Sequence, residues 1–112
     1  NRCLIMKQTT TVLTQKDNLC IEQCSCCDNI HLIYQNLLLK FTPESFTDFE
    51  TALSKLEFEN RAITFPDGTD KMLINTPQKE IQLCFTQKEF ELLRQSLKEA
   101  LLMLEVSQIL YS

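Results

Sequence analysis

At 112 residues the chain is the size of one domain, long enough to bury a core without a covalent staple. Hydrophobic residues make up 44% and charged residues 23%, a balance that argues for a folded globular protein and against disorder. The net charge is −4 with no basic run, which disfavours nucleic acid and anionic membrane as partners, and no stretch reaches the roughly 18 apolar residues of a membrane span.

In chain order, residues 3–6 are apolar, and Thr9–Leu13 is rich in Thr and Val, which favours extended structure. Lys16-Asp17-Asn18 signals a turn, and Leu19–Cys24 alternates as a returning strand. Cys24–Asn29 is polar and sulfur-rich, a tight connection. Ile30–Tyr34 and Leu37–Phe41 then form a second hairpin around Gln35-Asn36, a poorer turn pair than Asn-Gly. A helix is predicted from Pro43 to Leu56, with Phe46, Phe49, Leu53 and Leu56 on one stripe and Asn60 as a left-handed stop. Arg61–Phe65, Lys71–Asn75 and Glu80–Phe85 follow as strands, with Pro66-Asp67-Gly68 turning the chain between the first two.

The last element is a long helix beginning at Gln87. Its first half is amphipathic, with Phe90, Leu93, Leu97 and Leu101 inward and Lys88, Glu91, Arg94, Gln95 and Lys98 outward. From Leu101 to Tyr111 it is apolar almost all round. Such a segment is either buried between the sheet and the first helix or forms a contact surface, and Leu102, Val106 and Ile109 mark the seam of an expected homodimer.

Leu37–Leu56 and Ile81–Ala100 resemble one another at a shift of 44 positions, with Leu39, Phe41, Thr42, Phe46 and Leu53 repeated as Leu83, Phe85, Thr86, Phe90 and Leu97. Each copy reads as a strand ending in Phe, a Thr cap and a helix. Pro43 suits a first helical position, and Thr86–Glu89 spells a capping box. The expected fold is therefore α+β: antiparallel hairpins of about six strands covered by two helices, with a ββα pseudo-repeat. Residues 1–112 form a single domain, the cysteine-bearing hairpins and first helix in 1–60 and a hairpin with the long helix in 61–112.

Six cysteines stand at positions 3, 20, 24, 26, 27 and 84. Cys24-Ser25-Cys26-Cys27 contains a C-x-x-C at a predicted turn, the placement of a zinc knuckle, where a tight turn aims two thiolates at one ion. A structural zinc takes four ligands and no second C-x-x-C is present. Cys24, Cys27 and Cys3 are the expected ligands, and the fourth is unassigned among Cys20, Cys26, His31 and Cys84. Of these Cys20 is set aside, because an extended Leu19–Cys24 puts it about 13 Å from Cys24. His31 lies between Ile30 and Leu32 and fits a sheet position better than a ligand position. Whether Cys26 takes the place of Cys27 is open.

Alternatives to zinc are reduced thiols, a disulfide framework in a secreted or periplasmic interaction protein, and thiol oxidoreductase chemistry. The disulfide reading ranks below a cytoplasmic one because four of the six cysteines crowd into eight residues, whereas staples usually tie distant segments. The redox reading needs a helix N-terminus to lower a thiolate pKa, and Cys27 is followed by Asp28 and a strand pattern. The only glycine, Gly68, lies in a turn, and the single histidine has no adjacent nucleophile, so no enzyme is expected.

The run Cys24–Cys27, the following Ile30-His31-Leu32-Ile33-Tyr34-Gln35-Asn36 and the Phe41-Thr42 step resemble a family of small uncharacterised bacterial proteins. In that family a C-x-x-C knuckle precedes a His-Leu strand and a capped helix. The resemblance covers about residues 20–56 and implies a bacterial, cytoplasmic setting, with no activity or substrate. This sequence departs from the pattern at Gln35, where Gly is usual, and by adding Cys20 and Cys26. Together these readings predict a non-enzymatic, zinc-stapled interaction or oligomerisation module.

Overall fold

The computed structural model describes residues 10–111. Four strands, β1 (Thr10–Lys16), β2 (Leu19–Cys24), β3 (Ile30–Tyr34) and β4 (Leu37–Phe41), form an antiparallel meander in sequence order. Helix α1 (Pro43–Ser54) and a single turn α2 (Phe58–Arg61) lead to a second antiparallel sheet of β5 (Ala62–Thr64), β6 (Asp70–Asn75) and β7 (Gln82–Phe85). The chain ends in α3 (Gln87–Tyr111). The architecture is α+β, with seven strands and three helices among the described residues where about six and two were expected.

One face of the first sheet is built by alternation. Leu19, Ile21, Ile30, Leu32 and Tyr34 point into the core, while Glu22, His31 and Lys40 pair across the strands on the other face. A bulge between Val12 and Thr14 turns Leu13 inward as well. From the second sheet come Met72, Ile74, Leu83 and Phe85, and α3 closes the core with Phe90, Leu93, Leu97 and Ala100. Phe46 and Leu53 of α1 join it, Phe46 meeting Phe41 edge to face at 5.5 Å between ring centroids.

Both helices that follow a Phe-ended strand start the same way. Thr42 accepts from the Ser45 amide and its own amide donates to Ser45 Oγ. Thr86 accepts from the Glu89 amide and donates its amide to Glu89 Oε1 at 2.9 Å. The two capping boxes give the pseudo-repeat its structural counterpart.

Three details differ from expectation. Helix α1 stops at Ser54, and Asn60 is no left-handed stop: it sits inside α2, with Lys55 in right-handed conformation as the cap of α1. Arg94 of α3 donates to the Leu56 carbonyl at 3.0 Å, a partner that satisfies the chain after α1 and that local sequence does not reveal. Residue 61 consequently ends α2 instead of opening a strand. The positive φ angles fall at Asp17, Asp28, Gln35 and Gly68, so all three chain reversals in the first sheet use a non-glycine residue in the left-handed region.

The second half of α3 is not buried between layers. Its inner residues Leu101 and Leu104 touch the core margin, but Leu102, Met103, Val106, Ile109 and Leu110 face outward and are exposed.

Candidate metal centre

The β2–β3 connection is closed by its own backbone. The Cys24 amide donates to the Asn29 carbonyl and the Asp28 amide to the Cys24 carbonyl, each at 2.9 Å. Asp28 takes φ 62°, which its short polar side chain tolerates, and Gln23 Nε2 donates across the turn to the Asp28 carbonyl at 3.1 Å. This clamp holds Cys24, Cys26 and Cys27 on one small arc.

The three sulfurs lie within 4.8 Å of one another. A tetrahedral zinc–thiolate site, with Zn–S near 2.3 Å, spaces its sulfurs by about 3.8 Å, inside that range. Cys24 Sγ and Cys26 Sγ are 3.2 Å apart, beyond the about 2.05 Å of an S–S bond yet closer than the about 3.8 Å of two zinc-bound thiolates, and neither belongs with the free thiols Cys20 and Cys84. Cys24 is buried, whereas Cys26 and Cys27 are exposed at the surface of the turn. Donor type and spacing fit a soft divalent ion such as zinc.

The sequence-predicted residues sort cleanly. Cys24 and Cys27 come together as expected. Cys3 lies outside the described residues. Cys26 lies beside them, so the turn brings all three sulfurs together. A C-x-x-C template scores only the first and last sulfur. The signal that finds the middle one is the turn itself, because a chain that reverses within six residues brings neighbouring side chains to one side.

The other thiols and the histidine lie elsewhere. Cys20 is a free thiol on β2, opposite Gln15 and Ile33, and burial followed by the charge of Glu22 pushes its pKa up, away from ligand character. Cys84 is a free, exposed thiol on the second sheet. His31 stands between Glu22 and Lys40 in the first sheet and is not part of the sulfur group.

Beside the turn runs a cleft of about 580 Å³, lined by Gln23 and Asp28, by Pro43 and Thr47 of α1, and by Leu101 and Leu104 of α3. Gln23 and Asp28, which flank the cysteines, therefore face the far half of α3 across this cleft.

An α+β fold of two antiparallel sheets carrying a three-cysteine turn defines a class of small domains with a potential metal site. Within that class, the sequence matches the DUF6686 family, a family of unknown function, over residues 6–112, and the chain belongs to it. No curated protein and no solved structure matches it. No helix among the described residues is long and apolar enough to cross a membrane.

Proposed function

We propose that the chain is a non-enzymatic interaction module whose N-terminal hairpins are stapled by zinc. The observation that carries this reading is the convergence of Cys24, Cys26 and Cys27 within 4.8 Å on a hydrogen-bonded turn. Cys3 is the candidate for the fourth ligand. Thr10 pairs with Cys24, so the chain enters β1 next to the turn, and the seven residues from Cys3 to Thr10 span up to about 23 Å. That reach is ample. Four thiolates close the coordination shell and leave no position for substrate, which favours a structural over a catalytic ion.

Zinc at this point would tie the segment before β1 to the β2–β3 turn and contribute directly to folding. The disulfide alternative draws nothing from Cys20 and Cys84, which are free thiols on different sheets, and rests on the Cys24–Cys26 pair inside the turn, which ties no distant segments together. The oxidoreductase alternative wants a helix N-terminus at the cysteines, and the strand β3 follows them instead.

Cobalt substitution tests the proposal. One Co(II) per chain with intense thiolate-to-metal charge-transfer bands and tetrahedral ligand-field bands is expected. Stoichiometric cobalt with octahedral, weakly absorbing spectra, or no cobalt uptake by the reduced protein, would refute it.

A further inference from the structure

The last three turns of α3 carry five large apolar side chains toward solvent: Leu102 at 59% exposure, Met103 at 46%, Val106 at 39%, Ile109 at 78% and Leu110 at 67%. They recur at helical spacing on one face, opposite the Leu101–Leu104 side that borders the cleft. Together they present roughly 500 Å² of apolar surface, at the upper end of the largest patch expected on a monomer. Burying two such faces against each other removes roughly 1,000 Å² from water, the lower bound for a specific interface.

We infer that this face pairs with the same face of a second copy, the two α3 ends lying antiparallel and centred on Val106. The inference rests on reading the chain as an interaction module, but not on the metal. In this register Leu102 lies opposite the partner's Leu110 and Met103 opposite the partner's Ile109, so every apolar residue meets another. Glu105, the only charged residue from 101 to 110, lines the cleft beside Ser107 and so stays off this seam. A parallel pair would align the two helix dipoles unfavourably. It would also bring together two bodies that each carry a net charge of −4, whereas the antiparallel pair holds them at opposite ends. Antiparallel helix dipoles add a small favourable term.

The test combines sedimentation equilibrium of the full chain with single cysteine substitutions. The parent is expected to sediment as a dimer at micromolar concentration. Ile109→Asp should weaken the dimer more than about tenfold, with unchanged helical circular dichroism because its side chain is 78% exposed. Under mild oxidation, compared with the parent treated alike, Val106→Cys should form a covalent dimer. Leu102→Cys should not, since its two copies lie about 12 Å apart along the axis. Equal cross-linking at both positions would overturn the antiparallel register. A parent that stays monomeric, including one that adsorbs to lipid vesicles instead, would overturn the self-pairing. A metal-loaded monomer would remove only this inference, and a metal-free dimer only the thiolate site.

Discussion

Replacing Cys26 by Ser separates a three-sulfur turn from a simple C-x-x-C pair. Cys26 is exposed, so losing its sulfur removes no core packing, whereas Cys24 is buried and its loss would mix metal and packing effects. Structural zinc in small domains is bound with about 10–16 kcal/mol at neutral pH. Shared over four thiolates, each contributes about 2.5–4 kcal/mol, and removing one corresponds to a loss of about 100- to 1,000-fold in affinity. Competition against a chromophoric zinc chelator measures that loss on the folded chain. Cys26→Ser and Cys27→Ser should fall by comparable factors, and Cys20→Ser should retain the parent affinity, because Cys20 stands outside the sulfur group. If Cys26→Ser bound zinc as tightly as the parent while Cys27→Ser did not, Cys26 would be no ligand and the reasoning from turn geometry would fail.

Other outcomes follow from the packing. Phe46→Ala, at a fully buried position edge to face with Phe41, should cost about 3–5 kcal/mol in denaturant unfolding, and a cost under about 1 kcal/mol would contradict the core assignment. Gln35→Gly should stabilise by about 0.5–1 kcal/mol, since φ 56° strains a side chain bearing a Cβ; a destabilised variant would show that Gln35 makes up for its strain elsewhere. The Glu99 carboxylate is held below its usual pKa first by the hydrogen bond from Lys16, then by that from Thr14. A depressed folded pKa means the stabilisation is present above the unfolded value and lost as pH falls through the folded one. Thermal melts should accordingly show Glu99→Gln flattening the acid-side fall in stability, and an unchanged acid slope would count against the tie.

Much of the fold is legible in the sequence because its signals are local. β2, β3 and β4 fall on the predicted residues since each is a short run rich in apolar residues bounded by turn residues. Thr42 and Thr86 announce their helices through side chains that bond within three residues. The misplaced elements depend on distant partners. Asn60 has the composition of a helix stop, yet Arg94, 38 residues away from Leu56, takes the carbonyl that a local cap would have satisfied. For the apolar run after Leu101, sequence offered burial between layers or an outward face at Leu102, Val106 and Ile109, and the structure leaves those three outside. At the cysteines, spacing named Cys24 and Cys27, and only the closed β2–β3 turn brings Cys26 alongside them.

The most direct test of a zinc-stapled hairpin is native mass spectrometry of the full chain purified without chelator, repeated after denaturation in a thiol-blocking reagent. One zinc per chain, lost on denaturation as the cluster thiols become blocked, is the expected result. A metal-free chain whose cluster thiols are all blocked without denaturation would contradict the account.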